Sequence, residues 1–277
     1  MISYTPLRYP GGKGKLYPFV KKIIENNYEN KPAYAEPYAG GFGLGMKLLI
    51  NEKVSRVYIN DLDFSIYVFW KEIIENTENF IEKIINTNID INEWKKQKEI
   101  YHNPNVSYLE KGFATFFLNR TNRSGIMSAG PIGGYNQNGN YKIDCRFNKK
   151  NLVDLIRKIS ELKDKIFISN MDGKDFLKYV DKLENNVLIY LDPPYVEKGK
   201  DLYINSFTKK DHTDLSKVIK DLKNNWFLTY DDNPLIEELY KDIGIEKFDI
   251  KYSVQTKRTA KEIIVFSPKL KVEDKKK

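Results

Sequence analysis

The sequence predicts an α/β fold in which a mainly parallel sheet of seven strands is flanked by helices and interrupted by one inserted lobe. Three observations support this prediction. The 277 residues can bury the core of one sizeable domain. Short apolar runs alternate with helical patterns along most of the chain, as they do in parallel sheets. A middle stretch, residues 104–150, breaks this alternation with glycine, asparagine and basic residues.

The predicted strands are short apolar or β-branched runs bounded by turn residues. In chain order they cover residues 33–36, 56–60, 165–169, 187–191, 226–230, 246–253 and 262–267. The link between the last two strands, residues 255–261, is too short for a helical crossover, so we expect them to form an antiparallel hairpin.

Helical patterns fill the stretches between these strands. Residues 42–51 predict a helix directly after the first strand, and residues 151–163 predict another. Residues 64–100 carry apolar positions at helical spacing, with Glu, Lys and Asn on the outer faces.

The middle stretch, 104–150, differs in texture and charge. It holds six of the sixteen glycines, and its part from residue 111 onward carries seven Lys and Arg against the single acid Asp144. This composition predicts a loop-rich lobe. We therefore expect one domain built from residues 1–63 and 151–277, with residues 64–150 inserted as a separate lobe. The net charge of +8 suits a polyanionic partner but does not require one.

Composition also excludes several classes of site and location. A single cysteine, Cys145, rules out an intrachain disulfide, and two histidines leave little for a zinc centre, so no metal is expected. The N-terminus has no apolar signal core, and no apolar run approaches membrane-spanning length. These features predict a cytoplasmic protein without a membrane partner.

Two turns near the N-terminus are candidates for ligand binding. Residues 36–43 (EPYAGGFG) lie between the first strand and its helix, where glycines permit a tight turn and close approach of a ligand to helix-start amides. Asp61 ends the second strand and is placed to accept ribose hydroxyls; a helix cap at Asp61 or Asp63 is the alternative. The Gly-Gly pair before Lys13 either presents that lysine to an anionic group or forms an ordinary turn.

The strongest chemical motif is Asp192-Pro193-Pro194-Tyr195, directly after the predicted strand 187–191. The Asp192 carboxylate and the Pro193 carbonyl can accept hydrogen bonds from both N–H groups of an amine. This favours a pyramidal nitrogen and stabilises the charge that develops as the amine attacks. The prolines fix the geometry in advance, and Tyr195 can stack on a flat base. The alternative is a plain Pro-Pro turn at a strand end.

Taken in order, these motifs resemble the Dam-like, D12 class of site-specific adenine-N6 DNA methyltransferases, in the alpha arrangement of their motifs. The resemblance rests on residues 8–13 (RYPGGK), 36–43, Asn60-Asp61, 116–125 (FFLNRTNRSG) and 192–195, and it spans nearly the whole chain. It implies a class I methyltransferase, Rossmann-like sheet with a reversed last strand. It also implies S-adenosylmethionine as the methyl donor.

The resemblance assigns cofactor roles to matching positions. The implied cofactor-binding residues are Tyr9, Lys13, Glu36, Tyr38, Gly40, Phe42, Asp61, Asp172 and Asp192. Lys13 is expected near the amino-acid end of the cofactor, Asp61 at the ribose and Asp172 near the adenine. Asp175 is the rival for this last position. Residues 198–203 are expected to form a loop that closes over a flipped base.

The implied reaction is direct transfer to an adenine flipped out of duplex DNA. Asp192, the Pro193 carbonyl and Tyr195 are the expected catalytic groups, with N6 attacking the sulfonium methyl in line. The expected DNA-binding residues are Asn119, Arg120, Asn122, Arg123, Lys142 and Arg146. Double-stranded DNA is the expected partner, and a separate cognate restriction endonuclease is a second.

Three alternatives remain open at the level of sequence. Cytosine-N4 methylation uses the same amine chemistry, although its enzymes usually carry serine at the position of Asp192. Adenine methylation in RNA is not distinguished by two arginines in a Gly- and Asn-rich lobe. A non-catalytic DNA-binding protein on the same fold is the third alternative. Such a protein would be expected to have lost Asp192, Tyr195 or the glycine turn 40–43, and all of these are present. The recognised DNA sequence is not fixed by these residues.

Overall fold

The computed structural model describes residues 4–8, 12–196, 207–252 and 258–272, without the side chains of 247–252 and 258–261. Its strands are β1 (Ala33–Glu36), β2 (Val57–Asn60), β3 (Ile166–Ser169), β4 (Val187–Leu191), β5 (Asn225–Asp231), β6 (Glu246–Tyr252) and β7 (Arg258–Phe266). Two expected features, Tyr9 and the loop 198–203, lie outside the described residues.

The seven strands form one sheet in the order β3-β2-β1-β4-β5-β7-β6. Strands β1 to β5 pair in parallel, whereas β7 runs antiparallel to both β5 and β6. This confirms the predicted mainly parallel sheet and its final hairpin. Because β1 pairs with both β2 and β4, the strand order reverses there. Open α/β sheets bind ligands at such a switch point, outside the carboxyl ends of the strands.

The central strands are buried on both faces, as expected when helices cover a parallel sheet. All five residues of β4 are buried. Leu188 and Tyr190 point into one apolar cluster, while Val187, Ile189 and Leu191 point into a second cluster on the opposite face. This alternation follows from the two-residue period of a strand. The sheet is therefore a rigid base for the loops at its carboxyl edge.

Ten helices of the described residues pack around the sheet. They are α1 (Tyr17–Asn27), α2 (Gly43–Ile50), α3 (Phe64–Glu75), α4 (Thr77–Asn86), α5 (Ile91–His102), α6 (Tyr108–Thr121), α7 (Lys149–Ser160), α8 (Gly173–Leu183), α9 (Lys209–Lys220) and α10 (Pro234–Tyr240). None of the helices in these ranges is both long and apolar enough to cross a membrane.

Helix α6 corrects the expectation that residues 104–150 are mainly loop. It is fourteen residues long and begins with a capping box in which Ser107 and Glu110 satisfy each other's backbone amides. Phe113, Phe116 and Phe117 are all buried. A helix that is apolar on several sides lacks the one-sided pattern that predicts a surface helix. The irregular part of this region is the short turn 104–107 and the stretch between α6 and α7.

Strand β7 begins earlier than predicted, at Arg258 instead of residue 262. Its first residues pair with β6, for example Arg258 with Tyr252 and Thr259 with Lys251. Backbone pairing in a hairpin does not need apolar side chains, so the polar sequence 258–261 gave no strand pattern. The other strand ends differ from the predictions by one residue or coincide with them.

Candidate active site at the carboxyl edge of the sheet

The turn between β1 and α2 is the first element of the site. Gly40 (φ 47°) and Phe42 (φ 45°) adopt the left-handed backbone conformation, which costs a non-glycine residue roughly 1–2 kcal/mol. Packing holds Phe42 there, because its ring lies edge-on to Trp70 with centroids 6.1 Å apart. Trp70 Nε1 in turn donates to the Gly40 carbonyl at 2.9 Å. Gly45 makes room for the Phe42 ring, since a Cβ there would lie 2.2 Å from it.

Asp61, directly after β2, ties this turn to the next loop. Its Oδ2 accepts the Gly40 N–H at 2.8 Å, and its Oδ1 accepts the Asp63 N–H at 2.9 Å. Burial raises the pKa of Asp61 to about 7, although these two hydrogen bonds act in the opposite direction. Asp63, not Asp61, caps α3, by accepting the Ser65 N–H at 2.8 Å. Each Asp61 carboxylate oxygen retains a lone pair for a further donor.

Tyr38 belongs to the glycine turn and packs against the start of α8, after β3. Its hydroxyl is buried and has no hydrogen-bond partner among the described residues. Gly173 packs tightly against it, because a Cβ there would lie 2.5 Å from the Tyr38 hydroxyl oxygen. Burial raises the pKa of Tyr38, and the nearby Asp172 carboxylate adds to the effect. Asp172 thus lies beside the site, whereas Asp175 sits on the exposed face of α8, 3.9 Å from Lys178.

Glu36 places a buried carboxylate at the end of β1. It is 6% exposed and accepts the Tyr34 hydroxyl at 2.8 Å. Burial raises its pKa to about 8; the Tyr34 hydrogen bond opposes this shift, and the Asp192 charge reinforces it. Glu36 and Asp192 therefore belong to one electrostatic cluster, although they come from different strands.

Asp192 follows β4 at the switch point of the sheet, and one of its oxygens is held from three sides. Its Oδ1 accepts the Thr229 hydroxyl at 2.8 Å and lies 3.2 Å from both the Tyr195 hydroxyl and the Lys13 Nζ. Its Oδ2 makes no hydrogen bond within the described chain. The following prolines, including Pro193, are buried. The motif therefore presents one fixed and one available carboxylate oxygen.

Lys13 reaches this motif from the N-terminal segment. Its side chain is 8% exposed and its Nζ donates to the Tyr195 hydroxyl at 2.7 Å. Burial opposes its charge, yet the carboxylates of Asp192 and Glu262 raise the pKa of Lys13 above its ordinary value. Lys13 was predicted near the amino-acid end of a cofactor; here it contacts Asp192 and Tyr195 of the predicted catalytic motif.

Sequence reasoning missed two members of this cluster, Thr229 on β5 and Glu262 on β7. Glu262 is 1% exposed, lies 3.2 Å from Lys13 Nζ, and accepts the Tyr195 hydroxyl at 3.0 Å. The available signal was weak: Glu262 is an acid at the edge of the apolar run IIVF. Buried charges are rare unless they are paired, so an acid next to such a run was a candidate for a buried partner.

Two residues predicted to contact DNA, Asn119 and Asn122, are instead buried structural residues, 1% and 0% exposed. The Asn119 side chain accepts the Arg8 N–H at 2.6 Å and donates to the Arg8 carbonyl at 2.9 Å. Asn122 accepts the Trp94 Nε1–H at 2.7 Å and donates to the Ile126 carbonyl at 2.9 Å. A side-chain amide satisfies buried backbone groups well, which explains asparagine at both positions.

The predicted cations occupy more open positions. Arg123, Lys142 and Arg146 are exposed. Arg120 is partly buried, and its Nε donates to the Arg146 carbonyl at 2.7 Å. Burial and the charges of Arg8 and Arg146 lower the pKa of Arg120 to about 10. No carboxylate of the described residues lies within ion-pair distance of Arg8, Arg120 or Arg146.

Comparison with known proteins supports the assignment made from these motifs. Residues 9–259 match the family of D12 class N6 adenine-specific DNA methyltransferases. The type II methyltransferase M1.LlaDCHI of Lactococcus lactis subsp. cremoris is 26% identical over 268 residues, covering 90% of this chain and 88% of that protein. M.MjaIII of Methanocaldococcus jannaschii, also a type II methyltransferase, is 26% identical over 227 residues, covering 76% of each.

Two solved structures are also similar. The rRNA methyltransferase aviRa from Streptomyces viridochromogenes aligns over 95% of this chain and 88% of its own, with a TM-score of 0.43 and 12% identity. A SAM-dependent methyltransferase from Agrobacterium tumefaciens aligns over 91% of this chain and 60% of its own, with a TM-score of 0.42 and 9% identity. The family match, which extends from the N-terminal motif through the start of β7, shows that this chain belongs to the D12 class of N6 adenine-specific DNA methyltransferases.

Proposed function

We propose that this chain methylates the N6 amino group of an adenine that is flipped out of duplex DNA at a short specific sequence. The observation that carries the mechanism is the arrangement of Asp192, whose Oδ1 is fixed by Thr229, Tyr195 and Lys13 while Oδ2 remains available. A neutral aromatic amine needs an acceptor held in place before reaction. The proposal therefore gives Asp192 the central role.

The residues around the glycine turn fit S-adenosylmethionine. Asp61 has carboxylate lone pairs for ribose hydroxyls, and the Tyr38 hydroxyl is a buried polar group without a hydrogen-bond partner among the described residues. Glu36 supplies a buried carboxylate for a cationic amino group. Asp172 is favoured over Asp175 for the adenine because it borders Tyr38, whereas Asp175 faces outward. Bound there, the cofactor would supply an activated methyl group on a sulfonium.

The chain's own groups prepare the substrate amine. Asp192 Oδ2 and the Pro193 carbonyl would each accept one N6 proton, which raises the availability of the nitrogen lone pair. Tyr195 would stack on the flipped base, a contact worth about 1–3 kcal/mol in single-strand binding. The buried prolines after Asp192 limit the motion of these acceptors before the base arrives.

Residues 64–150 are proposed as the target-recognition lobe on a catalytic domain of residues 1–63 and 151–277. Its exposed cations Arg123, Lys142 and Arg146 are the proposed contacts to phosphates or bases, and partly buried Arg120 supports that surface. Asn119 and Asn122 position the loop and do not touch DNA themselves. A cytoplasmic location and a separate endonuclease of the same specificity complete the proposal, since its relatives carry type II methyltransferase names.

The test is transfer of labelled methyl groups from S-adenosylmethionine to unmethylated DNA, with the modified nucleoside identified after digestion. We expect N6-methyladenine at one short motif from the wild-type protein. Asp192→Ala should lose at least about 100-fold in turnover while largely retaining cofactor binding. Asp164→Ala, which removes an exposed carboxylate outside the site, is the matched control.

Three outcomes would redirect the proposal. N4-methylcytosine as the product would change the substrate base. Label in RNA but not in DNA would change the nucleic acid. Turnover by Asp192→Ala close to that of the wild type would remove Asp192 from the mechanism.

A further inference from the structure

Glu262 is a fully buried carboxylate that the reaction scheme above leaves without a role. It lies on β7 opposite Asp231 of β5, and its side chain is 1% exposed. Its Oε2 pairs with Lys13 Nζ at 3.2 Å, and its Oε1 accepts the Tyr195 hydroxyl at 3.0 Å. A buried carboxylate is destabilising unless it is paired, and both partners of Glu262 belong to the active site.

Two carboxylates in this cluster, Asp192 and Glu262, share the same two donors, Tyr195 and Lys13. Tyr195 has one hydroxyl proton, yet its oxygen lies within hydrogen-bond distance of both Asp192 and Glu262. It can donate to only one of them at a time. Lys13 likewise faces both carboxylates at 3.2 Å. Glu262 therefore offers each donor a second anionic acceptor besides Asp192.

This second acceptor matters when Asp192 engages a substrate. If Asp192 were the only partner of Lys13, the ammonium would draw the Asp192 charge toward itself and weaken it as an acceptor for the amine. With Glu262 present, the Lys13 charge is shared between two carboxylates. Thr229 still fixes Asp192 Oδ1 at 2.8 Å, so orientation does not depend on the ion pair alone.

We propose that Glu262 is a positioning residue for methyl transfer, which carries the counter-charge of Lys13 and holds the Tyr195 hydroxyl so that Asp192 Oδ2 is left to accept the substrate amine. The role rests on the proposed function of Asp192. Glu262 itself does not touch the reacting atoms. Its influence passes through Lys13 and Tyr195.

The test compares Glu262→Gln with the wild-type enzyme in full kinetics. The substitution keeps the size of the side chain and an oxygen acceptor but removes the charge. We expect kcat to fall about tenfold or more, because a tenfold change corresponds to the free energy of about one charge-assisted hydrogen bond. KM for DNA and for the cofactor should stay within about twofold of the wild-type values, because in the proposed role Glu262 contacts neither of them in the ground state.

A pH profile separates this role from a merely structural one. In the part of the chain that the structure describes, the ionisable groups that face Lys13 include Asp192, Tyr190, Tyr195 and Glu262. Two of them, Asp192 and Glu262, are the carboxylates that hold its pKa high, so removing the Glu262 charge lowers it. The wild-type Lys13 should stay protonated across the assay range, so any alkaline fall in kcat should lie at lower pH in Glu262→Gln than in the wild type; Glu262→Asp, which restores the carboxylate, should return it toward the wild-type position.

Glu72→Gln is the matched control, because Glu72 is also a buried carboxylate (7% exposed) but lies on α3 and accepts the Asn76 side chain at 3.0 Å. The alkaline limb of kcat in Glu72→Gln should lie at the same pH as in the wild-type enzyme. A Glu262→Gln enzyme with wild-type kcat, or with a slower kcat and an unmoved alkaline limb, would overturn the positioning role alone. No transfer by the wild-type enzyme would overturn the proposed function and this role together.

Discussion

Lys13→Met tests whether the buried charges at the carboxyl edge form one mutually compensating unit. The Lys13 side chain is 8% exposed, and its ammonium lies 3.2 Å from both Asp192 and Glu262. Methionine has a similar length, so the substitution removes charge more than volume. It leaves two carboxylates in one cluster without a cation between them.

Removing one partner of a buried ion pair costs about 3–5 kcal/mol. The lower end applies here, because the Asp192 side chain is 24% exposed and can regain water, whereas Glu262 is 1% exposed and cannot. We therefore expect Lys13→Met to lower the free energy of unfolding by about 3 kcal/mol near neutral pH. Lys31→Met, which removes an exposed lysine 3.5 Å from Glu52, should change it by less than about 1 kcal/mol.

The loss should depend on pH in a defined direction. Burial raises the pKa of Glu262, Asp192 raises it further, and Lys13 lowers it. Without Lys13 the folded-state pKa of Glu262 rises still more above its unfolded value. The folded variant then takes up a proton as the pH falls, which stabilises it relative to the unfolded chain. The difference from the wild type should therefore shrink between about pH 8 and about pH 5.5.

Urea unfolding at both pH values, followed by tryptophan fluorescence, measures this difference. A destabilisation below about 1 kcal/mol at pH 8 would show that the ammonium is not part of a buried unit. A loss that is large but equal at both pH values would refute the electrostatic explanation and indicate a packing defect instead.

Two further predictions concern the proposed recognition lobe. Arg123→Ala should weaken DNA binding and reduce the slope of log affinity against log salt by about one if Arg123 contacts a phosphate; unchanged affinity and sequence preference across several salt concentrations would remove it from the interface. Asn119→Ala should destabilise the fold by about 1–3 kcal/mol, because it leaves the Arg8 backbone N–H and C=O without their partners. Its melting temperature, compared with that of Arg123→Ala, separates the structural role from the DNA-binding one.

Most of the fold was predictable because its signals are local. Each strand of the sheet is a short apolar run or half of a hairpin, and its pattern is visible in a window of a few residues. Helix α6 was missed for the same reason: Phe113, Phe116 and Phe117 are buried on several sides of the helix, so the window shows no polar face.

The residues of the candidate site likewise divide into those with a local sequence signal and those without one. Asp61, Asp192 and Tyr195 could be predicted as site residues because each belongs to a short motif at a strand end. The pairing of Lys13 with Glu262 joins residues 249 positions apart, and no local pattern encodes such a contact. Asn119 was assigned to DNA because polar residues in a Gly- and Asn-rich stretch suggest a surface, yet its amide is used to satisfy a buried backbone.

The N-terminal segment contacts both the proposed recognition lobe and the proposed reacting centre. Asn119 of α6 fixes the backbone of Arg8 on both its N–H and its carbonyl, and Lys13, five residues later in the sequence, lies 3.2 Å from Asp192. The N-terminal segment is therefore anchored at Arg8 by a helix of residues 64–150 and at Lys13 by side chains of the sheet edge. The Trp70 ring of α3 lies edge-on to Phe42 of the glycine turn, with centroids 6.1 Å apart, so residues 64–150 pack directly against the rest of the chain. If residues 64–150 bind DNA as proposed, packed side chains rather than a flexible linker connect that surface to the site.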